Sequence, residues 1–104
     1  MRQVERITLP LLQVLAQFVA DPRDDWFGLE LVRATGLGSG TVHESLMRLE
    51  KAGWVEARWE DRGTTAPHRG PRRRLYQLTA LGAVDGRRLL EERTRGLRSI
   101  EVVS

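Results

Sequence analysis

Apolar residues recur along this chain with two different periods, and the changes of period divide it into elements. Leu11, Val14, Leu15 and Phe18 form a helical stripe, widened by Leu12 and Val19. Thr8 followed by Pro10 marks its start, because proline is tolerated in a first helical turn. Asp21-Pro22 ends it, and the run DPRDD is a charged connector. Trp26, Phe27, Leu29, Leu31 and Val32 are expected to open a second helix that reaches about Thr35. Val42, Leu46 and Leu49 lie at i, i+4 and i+7 of a third, which stops at Gly53. The period then falls to two: Val55, Ala57 and Trp59 share one face, Glu56 and Arg58 the other, as in a half-buried strand. Residues 61–73 contain two glycines and two prolines and are expected to be irregular. Arg74 to Thr79 predicts a second strand, with Tyr76 and Leu78 on one face. Beyond it, Ala83, Leu90 and Leu97 are seven apart, a spacing that suits a helix–helix seam and predicts a helix over about residues 80–95.

The stretch GLGSGTVHESLMRLEKAG, residues 36–53, organises the rest. Gly36 suits the left-handed position that closes a helix, and Ser39 is expected to cap the next one. The outer face of that next helix carries Gly40, Thr41, Glu44, Arg48 and Lys51. Two helices joined by a tight turn, the second polar outside, form a helix-turn-helix. Followed by two strands and a basic loop, the unit predicts a mainly α winged helix-turn-helix with a small antiparallel β-hairpin, ordered α-α-α-β-β-α. Residues 1–79 would form the winged-helix part, after a short arm over residues 1–7, and residues 80–104 a C-terminal dimerisation helix and tail, all in one structural domain. Such a unit places its second helix in the DNA major groove.

Composition sharpens this reading. The 104 residues suit a single domain. The net charge is only +3, but of 17 basic residues Lys51 is the only lysine. Arginine forks onto phosphates and guanine edges better than lysine does. Zero cysteines exclude disulfides, thiol catalysis and cysteine-ligated zinc. No apolar run spans a bilayer and the first residues lack a signal-peptide core, so a cytoplasmic protein is expected. His43 and His68 sit in different elements without metal-site spacing. GLGSG neither follows a strand nor carries the lysine of a phosphate loop. Neither an enzyme nor a cofactor is expected.

DNA binding by such a unit needs two kinds of contact. Charge on the wing neutralises phosphates, for which Arg62, Arg69, Arg72 and Arg73 are the candidates; the bland alternative is a solvated charged loop. Side chains near the start of the recognition helix read bases, for which Ser39, Thr41, His43, Glu44 and Arg48 are the candidates. Gly40 permits close approach of the helix N-terminus to a phosphate. Ser39 has capping as an alternative role, Arg48 an i, i+4 pair with Glu44, and Glu44 either accepts from a cytosine amino group or repels the backbone. Self-association would use Ala83, Leu90 and Leu97, with Leu11 and Leu15 of the first helix contributing. Trp26, Trp54 and Trp59 are expected mainly as packing anchors with a wet N–H, and alternatively as walls of a ligand pocket.

The phrases GLELVRATGLGSGTV, LMRLEKAGWVEARWED and GPRRRLYQLTALG, in this order, resemble the PadR family of bacterial transcriptional regulators over roughly residues 8–86. The resemblance implies a homodimeric winged-helix repressor on a palindromic operator, dimerised through the C-terminal helix with help from the first, and often released by a small-molecule or phenolic inducer. The chain departs from the family pattern at His43, where tyrosine is usual, at Arg69-Gly70-Pro71, where Gly-Arg-Pro is usual, and in its short tail, as in a compact subfamily or a phage- or element-borne relative. Two other functions stay open: a protein-interaction adaptor or antirepressor, and a DNA-bending accessory factor.

Overall fold

Thr8 caps the first helix: its Oγ1 accepts from the Leu11 N–H at 3.3 Å, with Pro10 in the first turn. In the computed structural model, which describes residues 4–60 and 73–103 and side chains as far as residue 96, this helix, α1, spans Leu9–Ala20. Its stripe of Leu11, Val14, Leu15 and Phe18 is fully buried. The core continues through Leu31, Val42, Leu46, Leu49, Trp54, Val55, Tyr76 and Leu78. Val4, in what the sequence suggests is a short arm, is also buried against it.

The second helix begins later than its apolar pattern suggests. Trp26 and Phe27 form a two-residue strand, β1, and α2 covers Gly28–Thr35. Glu30 explains the boundary: its Oε1 accepts the Phe27 N–H at 2.8 Å, half of a capping box. Phenylalanine has no side-chain acceptor to supply the other half.

The recognition-type helix α3 spans Ser39–Lys51. Its end is a Schellman motif, in which the Trp54 N–H reaches the Leu49 carbonyl at 2.9 Å across Gly53, whose φ is +79°. The chain then enters β2 (Val55–Trp59), which pairs with β3 (Arg74–Leu78) from Val55↔Leu78 to Trp59↔Arg74. Because β1 pairs with the other edge of β3, through Trp26↔Tyr76 and Phe27↔Leu75, the sheet is three-stranded and antiparallel, in the order β1-β3-β2. Tyr76 and Leu78 are both buried, as their shared face requires. Along β2 burial fades from Val55 through Ala57 to Trp59, which is 57% exposed, as the strand leaves the body.

The last helix, α4, covers Ala80–Val103 and so runs past the expected end near residue 95. Thr79 ties its start to the α3–β2 corner. Its hydroxyl donates to the Gly53 carbonyl at 2.7 Å and also lies 3.1 Å from the Trp54 carbonyl, while the Gly82 N–H donates to that hydroxyl at 3.0 Å. Gly82 and Gly86, which in sequence only weaken a helix, face the two closest packing points. A methyl group at Gly82 would lie 2.0 Å from the Trp54 carbonyl oxygen, and one at Gly86 3.0 Å from Leu15 Cδ1. The absent side chains let α4 lie directly on the α3–β2 corner and on α1.

Candidate nucleic-acid interface

The turn between α2 and α3 is held by backbone geometry and one threonine. Gly36 closes α2 with φ +74° and donates its N–H to Val32 O at 2.9 Å. The Thr35 hydroxyl donates to the Leu31 carbonyl at 2.6 Å and accepts from the Leu37 N–H at 3.2 Å, spanning the turn. The expected cap at Ser39 is corrected: the N-cap is Gly38, with no side-chain cap bond, and Ser39 is the first helical residue. A cap needs extended backbone, which Gly38 has at φ −66° and ψ 153°. Ser39 instead points its exposed side chain toward a cleft described below.

Helix α3 buries Val42, Ser45, Leu46 and Leu49 and presents Gly40, Thr41, His43 and Glu44 to solvent. Arg48 is less available. It forms an ion pair with Glu44 one turn back, its side chain is only 20% exposed, and its Nη1 lies 3.5 Å from the Arg6 carbonyl. The segment before α1 therefore borders this helix, and Glu5 pairs with Lys51 at 3.5 Å. Met47, missing from the sequence-based candidates, stands on the outward face at 56% exposure. Its signal was there to read, seven residues after Gly40 and off the apolar stripe.

Of the wing arginines, Arg62, Arg69 and Arg72 lie outside the described residues. Arg73 sits at the wing root, where its guanidinium stacks 3.8 Å over the Phe27 ring and pairs with Glu60 at 3.3 Å. The backbone closes the same point, with the Glu60 N–H on the Arg73 carbonyl at 2.8 Å. Sequence reasoning did not single out Arg74, which pairs with Glu50 of α3 at 3.2 Å and so links β3 to the recognition-type helix. Arg58 pairs with Asp25, fastening β2 to the connector before β1. These contacts orient the sheet against α3, and they leave Arg73 and Arg74 61% and 42% exposed.

Between α2, α3 and β3 lies a cleft of about 380 Å³. Phe27, Val32, Val42, Leu46 and Tyr76 form its apolar walls, and Ser39, His43, Arg73 and Arg74 contribute its polar groups. None of the three tryptophans lines it. Trp26 packs edge-on against Phe18 with ring centroids 6.4 Å apart, and Trp54 is buried. Instead of a wet N–H, the indole nitrogens of both are buried without a hydrogen-bond partner among the described residues. Trp59 is exposed, with the Arg74 guanidinium 5.7 Å from its ring centre.

The self-association candidates divide. Leu11 and Leu15 are corrected, because both are fully buried at the centre of the chain's own core and offer no surface to a partner. Ala83 and Leu90 are half-buried against that core, and the side chain of Leu97 lies outside the described ones. A second cavity of about 440 Å³, lined by Val19, Arg87, Leu90, Glu91, Thr94 and Arg95, runs between the end of α1 and α4.

The same arrangement occurs in solved structures of bacterial proteins. The chain is similar to smu.1704 of Streptococcus mutans UA159, with 22% identity, a TM-score of 0.69, and coverage of 97% of this chain and 92% of the other. It is similar to a PadR family transcription regulator of hypervirulent Clostridium difficile R20291, with 23% identity, a TM-score of 0.58, and coverage of 88% and 92%. For the PcaV transcriptional regulator of Streptomyces coelicolor, solved with its natural ligand, identity is 24% and the TM-score 0.69; 95% of this chain is covered but it spans only 63% of that one. At these identities the likeness shows the winged-helix fold. No curated protein sequence matches the chain. The transcriptional regulator PadR-like family model matches residues 28–92, from the start of α2 well into α4. The chain therefore belongs to the PadR-like family, whose members are transcription regulators and not enzymes.

Proposed function

We propose that this chain is a sequence-specific transcriptional repressor that binds a palindromic operator as a homodimer. One observation carries the reading: α3 completes the core with one face and leaves Gly40, Thr41, His43, Glu44 and Met47 exposed on the other. A helix so mounted fits the major groove, where base edges differ for all four pairs. Arg73, with Arg62, Arg69 and Arg72 of the wing, would neutralise flanking phosphates. The Ala83–Leu90–Leu97 seam of α4 and the groove beside it would seat the second subunit, setting two α3 helices about one DNA turn apart. Such a regulator works in the cytoplasm with its DNA. A small-molecule inducer is supported by the ligand complex of the Streptomyces coelicolor regulator.

An adaptor or antirepressor role is the second reading, favoured by the carboxylates that hold Arg48, Arg73 and Arg74. Salt separates the two. Titration of duplex DNA at increasing salt, with sedimentation of the complex, should show two chains per duplex and a steep linear fall of log K with log salt, about 0.9 per neutralised phosphate. Salt-indifferent binding, or none, favours the adaptor.

A further inference from the structure

Met47 is the one large hydrophobic side chain exposed on α3, at 56%. It lies opposite the buried Val42–Leu49 stripe and in line with Gly40, seven residues earlier. The core does not need it, since Val42, Leu46 and Leu49 fill that side of the helix. Around it the outward face is polar, formed by Glu44, Lys51 and, one turn back, His43. A lone apolar group in such a face has no place against phosphates, which take charge and hydrogen bonds. Its counterpart in the major groove is the one apolar feature of the base edges, the thymine C5 methyl.

Two further features bring the group within reach. Gly40 carries no side chain, and a methyl group placed there would meet nothing within 4 Å, so the N-terminal half of the face is flat and open. Long helical side chains lean toward the helix N-terminus and cover the preceding turn. By that tendency the Met47 side chain extends over the turn of His43 and Glu44, toward the N-terminal half of α3 that a recognition helix turns to the bases. Methionine is unbranched and polarizable, so it shapes itself to a methyl group better than a β-branched residue does.

We infer that Met47 is a specificity-determining residue that selects a thymine by apolar contact with its C5 methyl. This rests on the reading of α3 as the base-reading helix, and the test separates the two. Duplexes selected by the full chain from a randomised pool are remade with deoxyuridine in place of each thymine in turn, which removes the methyl and leaves the hydrogen-bonding edge intact. The native chain should lose about four-fold in affinity at one symmetry-related position per half-site, the effect of burying one methyl-sized apolar group. Met47→Leu should keep that discrimination. Met47→Ala should bind thymine and uracil duplexes equally while unfolding at the same urea concentration as the native chain, since no core contact is lost. A selected site with no thymine opposite α3, no uracil effect at any position, or an equal effect in Met47→Ala would each overturn the inference while leaving sequence-specific binding intact. A pool that yields no preferred sequence would overturn the base-reading role itself, and the inference with it.

Discussion

A methyl group at Gly82 would lie 2.0 Å from the carbonyl oxygen of Trp54. No side-chain rotation relieves that contact, because the obstacle is backbone at the corner that joins α3 to β2. Alanine at Gly82 gains about 1 kcal/mol of helix propensity and loses more by forcing α4 off its seat. The Gly82→Ala chain should be less stable by about 2 kcal/mol or more. Gly96→Ala, with nothing within 4 Å of the added methyl, should gain up to about 1 kcal/mol. Urea unfolding of both variants at one protein concentration checks the pair, and equal shifts would refute the packing account.

Thr79 holds the same corner from the other side. Its hydroxyl meets the Gly53 and Trp54 carbonyls and accepts from the Gly82 N–H. Thr79→Val keeps the shape and removes all three contacts, and should cost about 1–2 kcal/mol. Thr79→Ser should recover most of that, measured by the same unfolding experiment.

The helix-turn-helix angle depends on Gly36, whose φ of +74° other residues adopt only with strain. Gly36→Ala should destabilise by about 1–2 kcal/mol. Its effect on DNA affinity should exceed the population of unfolded chain, because it also re-aims α3. Affinity measured well below the unfolding midpoint makes that comparison.

Glu44 and Arg48 hold each other across the outward side of α3. Glu44→Ala removes a carboxylate from the surface proposed to face DNA and releases the Arg48 guanidinium from its ion pair. Sequence-independent binding should strengthen, and the plot of log K against log salt should steepen by about one phosphate contact. At the wing root, Arg73→Ala should flatten the same plot by about one contact and weaken all sequences alike. Arg73→Lys should not restore full affinity, because the ammonium cannot reproduce the guanidinium stacked on Phe27.

Much of this architecture was legible in the sequence, where local rules decide the outcome. Gly36 and Gly53 end helices as left-handed residues, Thr8 caps α1, and Val42, Leu46 and Leu49 are buried at helical spacing. What escaped depends on contacts distant in sequence. Two residues carry no periodicity, so β1 exists only through pairing of Trp26 and Phe27 with Tyr76 and Leu75. Gly82 and Gly86 look like helix defects until Trp54 and Leu15 are seen against them. Leu11 and Leu15 looked available to a partner because the stripe on α1 is wide, yet the chain's own α3 and α4 cover that helix. Within the site, His43, Ser39, Arg73 and Arg74 share one cleft, although 34 positions separate Ser39 from Arg73 in the chain.

The proposed reading of DNA bases by two copies of this chain, through the outward face of α3, is checked by selection from randomised duplexes at near-physiological salt, followed by sequencing. An inverted repeat with half-sites about one helical turn apart, lost from the selected pool when Gly40, Thr41 and His43 are altered together in a chain that still folds, is the expected result. Recovery of sequence-blind, salt-sensitive binding, unchanged by those substitutions, would contradict it.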